Sequence, residues 1–344
     1  MTRDHVKVIG DCYRSAAKKS LDLQEFAKEF VTGLRNTGIK ELQLYASQMA
    51  TSYEARKNTS VSKKLVDDML TLVAYIIYYR IKTDPTLKNT SVKCYGRIKA
   101  FESEAKKSLE HLLEGESPDL NDRIGCRINV LNKGLDAIRM VDIITNDIIE
   151  FFCGYTTPEC IQKFIDWIDT NPEIDDETRK ILHETMSYDF ILDKSDDMRG
   201  VGDFDPKKHP TVIVPTETLI LKEYQYGVKN YITTPKDNGY QSVHFVVHMP
   251  LYSKVCPGGY FEFQIRTNEM HVYAEHELAS HSMYKANQQK RYDDYGVSEA
   301  FQLNPDEISL LGFTLFEDGT WADEIGFRSA VPFEVRQASY NGIF

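Results

Sequence analysis

The chain has 344 residues, of which 42% are apolar, and it contains 17 Phe and 20 Tyr. A chain of this length and composition can bury a substantial core in one large domain or two ordinary ones, which excludes a mainly disordered protein. Its formal net charge of −11 argues against a general nucleic-acid binder, because such a protein needs a broad basic surface.

The sequence contains no segment typical of a membrane span or a signal peptide. Its longest apolar run, residues 70–79, is far too short to cross a bilayer, and residues 1–20 lack a continuous apolar core. The six cysteines, at positions 12, 94, 126, 153, 160 and 256, form no CxxC pair. We therefore predict a cytoplasmic protein with reduced, mostly buried thiols, although Cys153 and Cys160 could pair or bind a metal.

Residues 1–88 show the apolar spacing of amphipathic helices. Three groups of apolar residues recur at helical spacing: Leu21, Phe26, Phe30 and Leu34; Leu42, Leu44, Tyr45 and Met49; and Leu65, Met69, Leu72, Val73 and Ile76. The dipeptide Asp84-Pro85 is expected to end the last helix. These patterns predict a helical N-terminal region.

From residue 89 onward, short β-like runs alternate with helical patterns. We predict strands at residues 92–99, 124–131, 212–214, 228–233, 242–248 and 261–266. We predict helices at residues 101–113, 135–152, 159–168, 176–186 and 268–285. Strands and helices that alternate around one sheet indicate an α/β or α+β domain. The stretch FTLFEDGTWADEIGF, residues 313–327, predicts a further hairpin with an Asp-Gly turn.

Charged side chains lie within several of the predicted strands. In residues 92–99, alternation places Lys93, Tyr95, Arg97 and Lys99 on one face. In residues 261–266 it places Glu262, Gln264 and Arg266 on one face, and Asp122 lies where another strand begins. Each feature alone is also explained by the solvated face of an edge strand.

The turn at residues 235–239 is unusual for a hairpin tip. It carries Lys236, and the outgoing strand then places Tyr240, Ser242 and His244 at a spacing of two. Cations suit a polyphosphate, carboxylates suit Mg²⁺ and an aromatic face suits a base. Together with the charged strand faces, this combination indicates phosphoryl-type transfer from a nucleotide. No GxxxxGK[ST] loop occurs, so side chains would have to hold the phosphates.

Four sequence blocks resemble the synthetase domain of RelA/SpoT-type alarmone synthetases. They are RIKAFES (97–103), DRIGCRI (122–128), KNYITTPKDNGYQSVH (229–244) and FEFQIRTNEMHVYAEHELASHSMYK (261–285). The resemblance implies the α+β fold class, with a mixed β-sheet flanked by helices (a nucleotidyltransferase-like synthetase fold) beside the helical N-terminal region. It also implies Mg²⁺-dependent transfer of pyrophosphate from ATP to the ribose 3′-hydroxyl of GDP or GTP.

The resemblance assigns roles to the matching positions of this chain. The residues that it places around ATP are Arg97, Lys99, Ser103 and Arg127. The residues that it places around phosphates and the acceptor are Lys229, Lys236, Asn238, Tyr240, His244, Gln264, Arg266, His271 and Glu275, with Tyr240 stacked on the acceptor base. Asp122 and Glu262 would bind Mg²⁺, and Glu262 would also draw the proton from the 3′-hydroxyl.

The chain departs from the long members of that family. Those carry a hydrolase domain with a His-Asp pair, whereas no HD dipeptide occurs here, so we expect a stand-alone small synthetase without alarmone hydrolysis. We predict three parts: a helical region at 1–88, a synthetase domain at 89–290 with a helical insertion at about 156–200, and a C-terminal extension of unknown role at 291–344.

Two other functions stay open at this point. A toxic small synthetase uses the same site to pyrophosphorylate the 3′ end of tRNA, or makes adenosine alarmones, and a more distant alternative is a non-catalytic nucleotide-sensing module. The net negative charge favours GDP or GTP over tRNA, although three Lys-Lys pairs (18–19, 106–107 and 207–208) could form a local basic track. The sequence leaves open a homo-oligomer and an antitoxin or regulatory partner.

Overall fold

The computed structural model describes residues 3–20, 23–57, 59–99, 120–153, 157–194, 204–221, 227–250, 259–276, 308–315, 321–323 and 328–329, and the single residues Glu104, Lys107, Ser108 and His111.

Four helices form the N-terminal region, which confirms its predicted helical character: α1 (Arg3–Lys19), α2 (Leu23–Asn36), α3 (Lys40–Lys57) and α4 (Thr59–Thr83). The three predicted apolar groups lie on α2, α3 and α4, except Leu21, which is outside the described residues, and α1 was not predicted. The first three share a core in which the rings of Tyr13, Phe26, Phe30 and Tyr45 pack edge-on or stacked. The prediction that Leu44 belongs to a buried apolar group is wrong, since this side chain is 54% exposed. It follows the buried Leu42 by two positions, which on a helix turns its side chain to the opposite side.

Helix α4 belongs to a second, larger core. Its apolar residues pack against the β-sheet and against the helices that follow the second strand. The helix ends where Asp84 begins a 3-10 turn, Pro85–Leu87, and Asp84 Oδ1 accepts a hydrogen bond of 2.9 Å from the Thr86 N–H. The predicted stop at Asp84-Pro85 is thus confirmed.

The described strands form one nine-stranded sheet. They are β1 (Val92–Ile98), β2 (Ile124–Val130), β3 (Ile191–Leu192), β4 (Val228–Asn230), β5 (Val243–His248), β6 (Tyr260–Thr267), β7 (Ile308–Leu315), β8 (Trp321–Asp323) and β9 (Arg328–Ser329). Their order is β3-β5-β6-β2-β1-β7-β8-β9, with β4 also paired to β5. The β2–β6 pair is parallel and the other pairs are antiparallel, so the predicted mixed sheet is confirmed.

Four further described helices pack around this sheet: α5 (Gly134–Phe152), α6 (Pro158–Thr170), α7 (Asp176–Met186) and α8 (Asn268–His276). Side chains at the N-caps begin two of them: Thr157 accepts from the Cys160 N–H and Asp175 from the Thr178 N–H. The ring of Trp167 on α6 lies 5.4 Å from that of Tyr79 on α4. The helices of the predicted insertion therefore share the main core, and the division of the chain into domains stays a prediction.

Two predicted strands are wrong in part or in whole. Residues 212–214 form no strand: the Val212 N–H donates to the His209 carbonyl in a turn, and the Ile213 carbonyl accepts from Gln241 Nε2. The strand predicted at 228–233 ends at Asn230. There, Asn230 Oδ1 accepts the N–H groups of Ile232 (3.0 Å) and Thr233 (3.3 Å) and bends the chain into a turn.

Other predictions fall partly outside the described residues. The helix predicted at 101–113 does so, although its four described residues are helical, and α8 is described only to residue 276. The predicted C-terminal hairpin is confirmed in its strands, β7 and β8, while its Asp-Gly turn lies outside. The five described cysteines carry no disulfide, and no described helix has the length and apolar character needed to span a membrane.

Candidate active site

Adjacent strands bring the predicted polar residues onto one face of the sheet. Arg97 on β1 is directly opposite Gly125 on β2, which is directly opposite Glu262 on β6. Two residues along β6, Gln264 is directly opposite His244 on β5. Since directly paired residues project to the same side of a sheet, all of these side chains share one face.

Asp122, two residues before β2, contacts three cations. Its Oδ2 atom lies 2.7 Å from Lys99 Nζ, 2.6 Å from Lys107 Nζ and 3.9 Å from Arg97 Nη2. Burial disfavours the ionised carboxyl, but the charges of Lys107 and Lys99 outweigh it and hold the pKa of Asp122 well below its ordinary value. Burial also lowers the pKa of Lys99 to about 8, against the attraction of Asp122. The cluster is therefore a carboxylate inside a cationic pocket.

Arg97 joins this cluster to Glu262 by reaching across the middle strand. Its Nη2 atom is 3.4 Å from Glu262 Oε2, and the two side chains are only 8% and 10% exposed. Gly125 lies between them without a side chain to separate them. A Cβ at Gly125 would overlap the Glu262 backbone carbonyl and lie 3.2 Å from Glu262 Cβ, so the close approach of β2 and β6 requires glycine here.

Glu262 continues into a chain of hydrogen bonds through His244 to Tyr240. Glu262 Oε1 lies 3.3 Å from His244 Nδ1, and His244 Nε2 lies 2.9 Å from the Tyr240 hydroxyl. A carboxylate can only accept, so Nδ1 carries the proton and Nε2 accepts from the hydroxyl. Burial lowers the pKa of His244 although Glu262 opposes it, and the ring is neutral at pH 7. Burial likewise disfavours ionised Glu262, yet Arg97 and the hydrogen bond from His244 lower its pKa to about 2.

Gln264 links the same carboxylate to a second arginine. Its Nε2 donates to Glu262 Oε2 at 2.8 Å, and its Oε1 accepts from Arg127 Nε at 2.9 Å. Both terminal atoms of Gln264 are thus used, and they hold Glu262 and Arg127 on the same face of the sheet.

Arg266 contacts helix α8 at the end of β6. It is 1% exposed, and its Nη2 donates to His271 Nδ1 at 2.6 Å and to Glu275 Oε1 at 3.0 Å. Arg127 Nη1 lies 3.9 Å from the same Glu275 oxygen. Burial and the charge of Arg266 lower the pKa of His271 to about 4, so this ring is neutral at pH 7. One helical turn separates His271 from Glu275, and both contact Arg266.

The turn before β5 carries Lys236 between two aromatic rings. Lys236 Nζ lies 4.6 Å from the ring centroid of Tyr231 and 5.2 Å from that of Tyr240. Asn238 Oδ1 accepts the Tyr240 N–H at 3.2 Å, so this side chain shapes its own turn. Gly239, with φ of +79°, donates its N–H to the Lys236 carbonyl at 2.7 Å. The turn thus places a cation and an aromatic surface beside the hydrogen bonds that link Glu262, His244 and Tyr240.

The remaining predicted residues are placed less directly. Lys229 is on β4, directly opposite His244, and Ser103 lies outside the described residues.

Two residues of the site were missed from the sequence. Lys107, which the Lys-Lys pairs suggest for a surface track, instead contacts Asp122. Tyr231 could have been found from its spacing of two from Lys229.

Asp122 and Glu262 have features of a magnesium site. The Asp122 Oδ1 atom is buried and accepts no hydrogen bond from any described residue, and both carboxylates approach the same Arg97 nitrogen. Carboxylate oxygens are the protein ligands that Mg²⁺ prefers. No cluster of three or more His, Cys, Asp or Glu that could hold a metal is found in the described ranges. A metal held by two carboxylates would take its other ligands from water and substrate phosphates, which is usual for Mg²⁺.

Comparison with known proteins gives a match over part of the chain. Residues 212–289 match the family described as the region found in RelA / SpoT proteins. Over 64 residues the chain is 48% identical to GTP diphosphokinase CRSH1, chloroplastic, from Oryza sativa subsp. japonica, which covers 19% of this chain and 11% of that protein. Over 57 residues it is 44% identical to GTP pyrophosphokinase rsh from Brucella ovis, covering 17% and 7%.

The aligned segments thus span about a tenth or less of the length of these relatives. Among solved structures, the small alarmone synthetase 1 from Bacillus subtilis, bound to its product pppGpp, aligns with a TM-score of 0.31 and 15% identity, over 70% of this chain and 86% of that one. The predicted resemblance to RelA/SpoT proteins is confirmed over residues 212–289. This region contains Lys236, Tyr240 and Glu262, whereas Arg97 and Asp122 lie outside it.

Proposed function

Because residues 212–289 are a region found in RelA/SpoT proteins, we propose that the chain transfers pyrophosphate from ATP to the ribose 3′-hydroxyl of GDP or GTP, with Mg²⁺ as its cofactor. The names of the matched relatives, GTP diphosphokinase and GTP pyrophosphokinase, support this activity for the shared region. The geometry of the site supports it for the strands outside that region.

The observation that carries the proposal is the Arg97 bridge. One guanidinium nitrogen of Arg97 lies 3.4 Å from Glu262, which is inside the matched region, and 3.9 Å from Asp122, which is outside it. Residues that are far apart in sequence thus form one buried site with two carboxylates and several cations. Burying charged groups costs free energy even when they are paired. A cluster of buried charges of this kind is therefore typical of a functional site and not of a purely structural sheet.

The cations around Asp122 suit the ATP side of the reaction. Lys99, Lys107 and Arg97 supply positive charge at the end of β1, where a triphosphate would be neutralised and positioned. Phosphoryl transfer needs little covalent help from the protein, so positioning and charge provide most of the rate. Mg²⁺, when bound by Asp122 and Glu262, would add charge neutralisation at the phosphates.

The aromatic turn suits the acceptor. Tyr240 is half-buried, and its hydroxyl is fixed by His244, which leaves the ring available to stack on a base. Lys236, which lies over this ring, would move to the acceptor phosphates when the base binds. Lys229, opposite His244, would add a second positive charge on this side.

In this proposal Glu262 receives the proton of the 3′-hydroxyl. The 3′ oxygen forms a bond to the β-phosphorus of ATP. The bond from that phosphorus to the oxygen that bridges it to the α-phosphorus breaks, and AMP leaves with the electron pair. The low pKa of Glu262 keeps it ionised at pH 7, so it is free to accept a hydrogen bond from the hydroxyl. His244 and Gln264 fix the carboxylate by one hydrogen bond to each oxygen.

Labelled ATP tests the activity and the acceptor together. The protein is incubated with Mg²⁺ and ATP labelled on its terminal phosphate, and GDP, GTP, ATP or bulk tRNA is supplied in turn. We expect label on GDP and GTP, unlabelled AMP in equal amount, and no transfer by Glu262→Gln.

Other outcomes assign other functions. Label only on tRNA 3′ ends, with growth arrest on expression, would identify a tRNA-modifying toxin. Labelled pyrophosphate on the ribose 3′-hydroxyl of ATP, in a product separated from the labelled donor, would identify an adenosine alarmone synthetase. Binding of nucleotides without any transfer would identify a sensing module and would refute the proposed activity.

A further inference from the structure

His209 lies directly beneath the turn that carries Lys236 and Tyr240, although it is outside the region shared with RelA/SpoT proteins. It is 7% exposed. Its Nε2 atom lies 2.9 Å from the Asp237 backbone oxygen, and its Nδ1 atom lies 2.8 Å from the Tyr273 hydroxyl on α8. One buried side chain therefore connects the turn to a helix of the site.

The chemistry of the two partners of His209 fixes the direction of both hydrogen bonds. A backbone carbonyl can only accept, so Nε2 carries the proton and donates to Asp237. Nδ1 then accepts from the Tyr273 hydroxyl. The ring of Phe204 stacks on His209, with centroids 5.6 Å apart and planes inclined by 19°. The imidazole is thus held in one tautomer and one orientation.

The turn also packs directly on this pair. A Cβ at Gly239 would lie 2.7 Å from the Tyr273 hydroxyl oxygen and 3.0 Å from His209 Nδ1. Only a residue without a side chain allows the turn to approach so closely, in addition to its positive φ. The position of Lys236 and Tyr240 is therefore coupled to the position of the His209–Tyr273 pair.

The segment that contains His209, residues 204–221, is itself anchored at several points. Gln241, the residue after Tyr240, donates from Nε2 to the Ile213 carbonyl at 2.8 Å. Asn230 Nδ2 donates to Thr218 Oγ1 at 3.1 Å. On the other side, buried Asp142 of α5 accepts the Leu219 N–H at 2.8 Å. The segment bridges α5 to both ends of the turn.

We propose that residues 204–221 brace the acceptor-binding turn, and that His209 and Tyr273 are positioning residues that hold Lys236 and Tyr240 in place. The expected effect on KM rests on the proposed function. The brace itself is a property of the turn, and it can be measured without catalysis. The described contacts of His209 and Tyr273 link the turn to helix α8, so we expect their effect on the acceptor and not on ATP.

Three variants of the full chain test the proposal. Tyr273→Phe removes one hydrogen bond and keeps the ring, so we expect the KM for the acceptor to rise about fivefold. His209→Ala removes both bonds, and we expect a rise of about tenfold or more. His209→Gln keeps a donor for Asp237 and should recover part of the loss. The KM for ATP should change by less than about twofold in all three.

A second measurement does not depend on catalysis. Hydrogen exchange of the Gly239 amide, which donates to Lys236 at 2.7 Å, should be faster in His209→Ala by about the same factor as the rise in KM. The control is His183→Ala on α7, which breaks an exposed histidine contact of 2.8 Å to Asp169 that involves no residue of the turn. It should change neither the exchange at Gly239 nor either KM.

The outcomes separate the brace from the proposed reaction. If His209→Ala raises the KM for ATP and for the acceptor equally, or leaves Gly239 exchange unchanged, the brace is refuted even in an active enzyme. If the wild-type protein transfers no pyrophosphate to any acceptor, the proposed function fails. Faster exchange in His209→Ala but not in His183→Ala would then still support the brace.

Discussion

Replacing Arg97 by Met should destabilise the protein far more than replacing an exposed arginine. The Arg97 guanidinium lies 3.4 Å from Glu262, and both side chains are at most 10% exposed. At an effective dielectric constant of about 20, two unit charges at that distance attract by about 5 kcal/mol. Removing one partner of a buried pair leaves the other charge uncompensated, so we expect a net loss of about 3–5 kcal/mol.

Thermal unfolding measures this loss. For a chain of this length, about 3–5 kcal/mol corresponds to a fall in Tm of about 4–7 °C. Arg14→Met is the matched control, since Arg14 pairs with Asp11 at only 2.6 Å but the two side chains are 39% and 61% exposed. A surface pair of this kind contributes about 1 kcal/mol or less. Adding Glu262→Gln to Arg97→Met should recover part of the stability, because it removes the uncompensated charge.

The same prediction has a pH dependence with a definite sign. In the wild type, the pKa of Glu262 falls from 4.5 to about 2, so its ionised form stabilises the protein above pH about 4.5, and this stabilisation is lost as pH falls toward about 2. Without Arg97, the largest interaction that offsets burial is lost and the pKa of Glu262 rises, which adds a penalty at neutral pH that disappears on acidification. The difference in Tm between wild type and Arg97→Met should therefore narrow from about pH 7 to about pH 3.

Two results would refute this reasoning. One is a fall in Tm for Arg97→Met no larger than that of Arg14→Met. The other is a Tm difference that stays constant between about pH 7 and about pH 3.

Three further predictions concern the reaction. Glu262→Gln and Asp122→Asn should each lower pyrophosphate transfer by about a hundredfold or more without loss of the folded circular dichroism spectrum, and near-normal turnover with Mg²⁺ in either variant would contradict the assigned centre. Tyr240→Ala should weaken acceptor binding by about 1–3 kcal/mol through lost stacking while ATP affinity is unchanged, and Tyr240→Phe, which keeps the ring, is its control. Loss of ATP affinity alone would reverse the donor and acceptor sides. The kcat/KM for ATP should fall as pH rises through about 8, where Lys99 loses its charge, and Lys99→Arg should move the fall to higher pH because a guanidinium stays protonated. An alkaline fall at the same pH in both proteins would exclude Lys99 as its cause.

Local patterns in the sequence determined much of the architecture. Helical spacing of apolar residues predicted α2 to α4 and α5 to α7, because most of these helices bury one apolar face. Alternation predicted that Arg97 and Lys99 share a strand face, and that Glu262, Gln264 and Arg266 do. Those predictions depend only on the geometry of a single element, which is encoded by neighbouring residues.

The short strands were predicted less well, and for a local reason that periodicity does not contain. Asn230 ends β4 with its own side chain, and the backbone of residues 212–213 bonds to His209 and to the Gln241 side chain instead of to a strand. The last strands also had a partner that their sequence does not reveal. Strand β7 pairs with β1, which lies more than two hundred residues earlier in the chain.

The contacts of the candidate site were decided only by the tertiary structure. The resemblance to a family implied that Asp122 and Glu262 bind the same Mg²⁺, but the sequence did not show that one arginine joins the two carboxylates, or that Lys107 contacts Asp122. Those contacts depend on the register of β1, β2 and β6 and on the packing of the helical residues after β1. Strand register and helix packing are set by the burial of the whole apolar core, so residues far apart along the chain meet only after that core has formed.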